Sequence, residues 1–279
     1  MSTTVAASSP ENASSNLEHT ITFEDVHLAF EENVILDGVS FQLRRAETKI
    51  LLGIAGSGKS TILKLALGLM KPDSGRISVL GEEVSSMPEQ QLFALRRRVG
   101  MVFQESALFD SLTVEDNVSY RLREEHVAPD EIHNRVVEAL KFVELEHTLT
   151  KFPSELSGGM RRRVAIARAI INKPEVLLYD SPTGGLDPIT STRIIELIIK
   201  QRDVYKTSAL LVTHRLQDAF TLASSYFDVK SNQMLPRRAT DTSDVHSSFL
   251  LIREGKVVFD GTAPELGQSK DEYIREYIS

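Results

Sequence analysis

The chain has 279 residues, 41% hydrophobic and 25% charged, a globular composition long enough for one large domain or two small ones. A formal net charge of −7 argues against non-specific attraction to nucleic acid or anionic membrane, and the lack of cysteine excludes disulfides and thiolate metal sites. No apolar run reaches the roughly 18 to 20 residues that span a bilayer, so the chain reads as soluble and cytoplasmic, with any membrane role exercised through a partner.

Residues 1–17, rich in Ser, Ala, Asn and Thr, have neither the basic start nor the apolar core of a signal peptide and are expected to form a disordered tail. From His19, "HTITFEDVHLAF" alternates apolar and polar residues as a half-buried strand does. "GVSFQL" and "TKILLGIAG" continue the β pattern, the second running into a Gly-rich turn. "KSTILKLALGL" has helical spacing and stops at the turn Lys71–Gly75. "GRISVLGEEV" reads as strand, turn, strand; "PEQQLFALRRR" as a short helix; "VGMVFQ" as a strand ending on Gln104.

After Gln104 the pattern changes. "TVEDNVSYRLREEH" and "PDEIHNRVVEALKFVEL" are helical with no strand between, which predicts an inserted helical subdomain over about 105–170. "SGGMRRRVAIARAII" and "PITSTRIIELIIKQR" are helices, "EVLLYD" and "TSALLVTH" buried strands, and "SFLLIREGKVVFDG" a hairpin turning at Glu254–Gly255. Nearly all-apolar strands alternating with helices imply an α/β fold with a mainly parallel sheet covered on both faces. The arginine runs Arg96–Arg98 and Arg161–Arg163 read as solvated helix faces. The polar stretch at about 230–247 is expected to be a surface loop or disordered insertion, and 267–279 a frayed tail, with packing on a partner protomer as the alternative.

"GIAGSGKST", Gly53–Thr61, fits G-x-x-x-x-G-K-[ST] between an apolar strand and a helix. Gly53, Gly56 and Gly58 let main-chain N–H groups, Ser57 included, wrap phosphates without Cβ clashes. Lys59 reaches the outer phosphate oxygens, Ser60 offers a hydroxyl to Mg²⁺, and the helix opening at Ser60–Thr61 adds its positive dipole end. Asp180, ending a later buried strand, is the carboxylate placed to meet Mg²⁺.

The phosphate loop, Gln104, "LSGGMRRR", "VLLYDSPTGGLDP" and His214 after "ALLVT" occur in that order and spacing. Together they resemble the nucleotide-binding subunit of ABC (ATP-binding cassette) transporters over about residues 19–266, so that 18–266 would be one ABC-type P-loop ATPase domain with an antiparallel N-terminal β part. The resemblance implies that Phe30 stacks on adenine, and that Ser60, Gln104 and Asp180 serve Mg²⁺ or the attacking water. It implies that Ser157, Gly158 and Gly159 clamp ATP bound to a second protomer, that Asp187 lines the dimer interface and that His214 binds the γ-phosphate. The implied assembly is a head-to-tail homodimer sandwiching two ATP molecules. Within the family, Ala107–Ser111 after the glutamine and the methionine with an arginine run after Gly159 are similar to ATPases of Mla/Mce-type lipid transporters. That implies a membrane permease and an MCE-domain lipid-binding protein as partners, no nucleic acid, and a place on the inner face of the cytoplasmic membrane. ATPases of the cell-division or lipoprotein-release type are the alternative.

Two positions depart from the family, one of them Gly184, where threonine is commoner. Where a glutamate normally polarises the attacking water, this chain has Ser181, whose hydroxyl is a very weak base. Loss of a positioned general base costs about 10² to 10⁴ in rate. Three readings stay open: a slow ATPase in which Gln104 and His214 position water, a substitute carboxylate such as Glu105, or an ATP-driven clamp that reopens slowly. A soluble ABC-type ATPase acting on ribosomes or DNA, and a nucleotide-binding regulator without turnover, are the readings outside transport.

Overall fold

The computed structural model describes residues 18–237 and 247–279; the expected tail 1–17 and most of the second half of the expected insertion lie outside these. Two long strands, β1 (His19–Phe30) and β2 (Asn33–Arg44), form an antiparallel hairpin; β4 (Ser74–Val79) and the short β5 (Glu82–Glu83) complete a four-stranded sheet ordered β2-β1-β4-β5. Between them in sequence come β3 (Thr48–Leu52) and helix α1 (Lys59–Ala66). Helix α2 (Glu89–Arg96) and β6 (Val99–Val102) follow. Strand β6 stops short of Gln104, which stands in the turn beyond it.

Three helices separate β6 from the next strand: α3 (Val114–Glu124), α4 (Pro129–Phe142) and α5 (Gly158–Ile170). Thr113 caps α3 by accepting the Asp116 N–H, and Val114, Val118 and Leu122, four residues apart, put one helical stripe into the core. The chain then runs through β7 (Val176–Asp180), α6 (Pro188–Tyr205), β8 (Ser208–Val212), α7 (Leu216–Ser224), β9 (Ser225–Asp228), β10 (Gln233–Pro236), β11 (Ser247–Arg253) and β12 (Lys256–Gly261). It closes with α8 (Ala263–Gly267) and α9 (Glu272–Ile278).

The central sheet has six strands ordered β12-β11-β3-β8-β7-β6, all parallel except β12. Its inner strands β11, β3, β8 and β7 are buried at nearly every position because both faces are covered, and the period-two alternation divides each of them between two cores. Ile50, Leu52, Leu177, Tyr179, Ala209, Leu211, Phe249 and Leu251 face the layer built by α3 to α7. Leu51, Val176, Leu178, Leu210, Val212, Leu250 and Ile252 face α1, α2 and the antiparallel sheet. The consequence for function is geometric. Strands β3, β7 and β8 end side by side, so the Gly53 loop, Asp180 and His214 emerge at one edge.

Two expectations need correction, and a third, the hairpin, is met with a neighbour the sequence did not name. The stretch at 230–247 is not loop throughout: residues 233–236 form β10, paired antiparallel with β9. The hairpin at Glu254–Gly255 is there, but its first arm, β11, is an inner strand bonded to β3. The segment 267–279 is not frayed, because Ile274 is buried and α9 packs on its own chain.

Candidate functional site

The loop between β3 and α1 is shaped by its contact with β2. Gly58 has φ 93°, and a Cβ there would lie 2.8 Å from Leu36 Cδ2 and 3.0 Å from the Ile35 carbonyl oxygen, so glycine alone fits. That contact sets the β1–β2 hairpin beside the loop. Phe30, paired with Asn33 at the hairpin tip, is 49% exposed, an aromatic platform rather than a core residue.

Lys59 is buried, and its Nζ donates to the carbonyls of Gly53 (2.9 Å) and Ile54 (2.6 Å) and to Ser57 Oγ (3.1 Å). Burial lowers its pKa to about 8, against the attraction of Asp180. These three oxygens are neutral, so the ammonium is held without its charge being cancelled, and it is poised for an anion. Ser60 Oγ donates to Asp180 Oδ1 at 3.0 Å, bringing a hydroxyl and a carboxylate, two hard oxygen ligands suited to Mg²⁺, to the mouth of the loop. Thr61 lies half-buried in the first turn of α1, and Gly56 sits on the exposed crest of the loop. The His214 ring lies beside the Gly53 backbone. Burial first, then the Lys59 charge, holds its pKa below the ordinary value, so it is neutral at pH 7.

Gln104 and Ser181 meet at Gly184. A Cβ on Gly184 would stand 3.2 Å from the Ser181 carbonyl oxygen, 3.5 Å from Ser181 Cβ and 3.6 Å from Gln104 Cγ. Ser181 is buried with φ 46°, a left-handed conformation that costs a non-glycine residue roughly 1–2 kcal/mol, and the loop closes through Gly184 N–H to its carbonyl at 2.9 Å. Glu105 is exposed and lines the cavity that Gln104, Arg162 and Gly184 share; no contact joins it to Ser181 among the described residues.

The reading of Arg161–Arg163 as a solvated face fails at Arg162. This residue is buried and donates to the Phe103 carbonyl (2.8 Å) and the Gly184 carbonyl (3.4 Å), joining α5 to the segments on both sides of Gln104 and Ser181. Its Nε is buried without a partner among the described residues. Helical spacing held the signal: Arg162 shares the face of Ala165, Ile166 and Ala169, all buried.

Ser157 is the N-cap of α5, accepting the Met160 N–H at 3.2 Å, with Gly158 and Gly159 in the first turn. A Cβ on Gly159 would lie 2.4 Å from Thr190 Cγ2, so the α5 start is pressed against the α6 start. Asp187 caps α6 through the Thr190 N–H (2.9 Å) and hydroxyl (2.6 Å), and these bonds hold its carboxyl below the usual range. Beside it Ile189 is 71% exposed. Gly158 lines the Gln104–Gly184 cavity, to which no residue of 53–61 contributes. One chain therefore gathers Lys59, Ser60, Asp180 and His214 about the phosphate loop and Gln104, Ser181, Gly184 and Gly158 beside it, the two groups joined through the consecutive Asp180 and Ser181.

The ABC transporter family model matches residues 36–184, more than half the chain. The chain is 38% identical to Protein TRIGALACTOSYLDIACYLGLYCEROL 3, chloroplastic, of Arabidopsis thaliana, over 93% of itself and 73% of that protein. It is 36% identical to the methionine import ATP-binding protein MetN of Bifidobacterium longum, over 77% of itself but only 52% of that protein, so it spans about half of this relative. It is 30% identical to the intermembrane phospholipid transport system ATP-binding protein MlaF of Haemophilus influenzae, over 88% of itself and 85% of that protein. Among solved structures, a dimeric post-hydrolysis state of the ATP-binding cassette MJ0796 bound to ADP and Pi aligns with a TM-score of 0.73 at 27% identity, over 87% of this chain and 98% of that one. The chain belongs to the ABC transporter ATP-binding family, whose members bind ATP with Mg²⁺ and hydrolyse it.

Proposed function

Starting from that membership, we propose that two copies of this chain close over two ATP molecules and hydrolyse them slowly to drive a membrane lipid through a separate permease. The observation that carries the nucleotide half is the buried Lys59 held by three neutral oxygens beside the Ser60–Asp180 pair. Lys59 exchanges those oxygens for phosphate oxygens, and Ser60 and Asp180, with Gln104 nearby, would hold Mg²⁺. When bound, the metal neutralises charge on the transferring phosphoryl group. His214, neutral, donates to the γ-phosphate. Ser157, Gly158 and Gly159 of one copy close on the ATP of its partner, with Asp187 at the edge of the interface and Phe30 against the adenine. Gln104 and His214 orient the water, and Ser181 leaves it without a strong base.

The lipid half is supported by two relatives whose names specify lipids, a glycerolipid and an intermembrane phospholipid system. The permease reading is supported by a groove of about 390 Å³ beside Gln104, lined by Phe103, Ala107, Phe109 and Tyr120 and rimmed by arginines. Such a groove takes an amphipathic helix. An MCE-domain lipid-binding protein is the further partner, and the cytoplasmic face of the membrane the place of work; among the described residues no helix is long and apolar enough to cross a membrane. The MetN relatives favour a second reading, methionine import. ATPase turnover of the complex purified from detergent extracts decides. Stimulation by phospholipid and not by methionine with its binding protein supports the lipid reading, and the reverse pattern overturns it.

A further inference from the structure

The Gly53 peptide is gripped from both sides. Its carbonyl accepts Lys59 Nζ at 2.9 Å, and its backbone lies beside the His214 ring. Its N–H donates to the hydroxyl of Tyr277, 224 residues away, at 3.0 Å. Gly53 has little room to answer otherwise: φ is 144°, and a Cβ would lie 2.4 Å from the Ile252 carbonyl oxygen. Helix α9 brings Tyr277 to this spot. Asp271 caps it through the Ile274 N–H at 3.1 Å, Ile274 is buried, and the Tyr273 ring packs 4.3 Å from the Arg253 guanidinium at the end of β11.

We propose that Tyr277 is a positioning residue for the phosphate loop, holding Gly53 in place while its other bonds are exchanged for phosphate contacts. The inference rests on Lys59 and His214 being triphosphate ligands. The Gly53 peptide has two hydrogen-bonded holds, Lys59 on its carbonyl and Tyr277 on its N–H. With ATP bound, Lys59 and His214 turn to phosphate oxygens and the Tyr277 bond is the one of the two that remains. Removing the hydroxyl therefore costs the bound state more than the empty one, which is a loss of affinity. Burial raises the Tyr277 pKa, so the hydroxyl is neutral at working pH and the hold does not vary with it.

The test is Tyr277→Phe in the full chain. Mg-ATP affinity by calorimetry should fall about 2- to 10-fold, the range of one hydrogen bond, with kcat within about twofold. The Gly53 amide should exchange with solvent faster than in the parent, most of all with ATP bound. Tyr273→Phe is the control, since the Tyr273 hydroxyl on the same helix is buried without a partner among the described residues; it should leave affinity unchanged. Unchanged affinity in Tyr277→Phe overturns the proposal, and so does an equal loss in both variants, which would mean helix packing alone. Should Tyr277→Phe not fold, the parent protein decides, because a Gly53 amide that exchanges at the unprotected rate overturns the proposal and a protected one sustains it. A parent chain that binds no ATP at all would instead sink the nucleotide reading above.

Discussion

In the phosphate loop Lys59, Ser60 and Asp180 are bonded to the loop or to one another, whereas Ser157, Gly159 and Asp187 spend their contacts on the starts of α5 and α6. Gln104 and Ser181 only approach each other, at Gly184. The difference teaches which step each region serves. A loop that keeps its lysine on three neutral oxygens holds the charge beside an incoming triphosphate, for which those oxygens can be exchanged. The helix starts present exposed main chain and an exposed Ile189, which suits closure on a second copy. On the proposed reading, binding belongs to one chain and hydrolysis to the assembly.

The largest effect expected is at Lys59. Lys59→Ala should weaken Mg-ATP binding by about 100-fold or more, since it removes the charge aimed at the outer phosphates; calorimetry showing parent affinity would end the claim that this cluster is the binding half. Next comes Ser181→Glu, expected to raise steady-state turnover of the complex at least about tenfold while ATP affinity stays within about twofold. Equal turnover in the two proteins would show that the second cluster already has its base, with Glu105 the first place to look.

Binding should also respond to pH through the first cluster. Lys59, with a pKa of about 8, must be protonated to hold phosphate, and a bound anion raises its pKa. ATP binding therefore takes up protons near pH 8, and affinity should fall roughly fivefold between pH 8 and pH 9 by the titration of one group. A flat profile with no buffer-dependent heat would break the link. The smallest effect is at Ser157→Ala. Loss of the α5 cap should cost about 1 kcal/mol of stability in a denaturant titration and leave ATP affinity of the isolated chain unchanged. Lost affinity there would mean that the two clusters are not separable.

Much of the phosphate loop was legible because its demands are local: glycines where the main chain turns, a lysine and serine at fixed offsets, an apolar strand before and a helix after. The caps Ser157 and Asp187 are legible for the same reason, each being set by a residue three positions on. Arg162 was half legible, for its helical spacing pointed inward while its charge pointed outward. Strand β11 showed as one arm of a hairpin, but no feature of "SFLLIR" names β3 as its other neighbour.

By itself the sequence determined the alternation of strands and helices, the phosphate loop and the order of the motifs, because periodicity and main-chain conformation are written over a few residues. Only the tertiary structure decided that Gly184 would bring Ser181 against Gln104, that Arg162 would be buried between them, and that Tyr277 would reach Gly53 across 224 residues. Those pairings follow from how two cores close on opposite faces of one sheet, and no local pattern carries the information of which distant surface a side chain will meet.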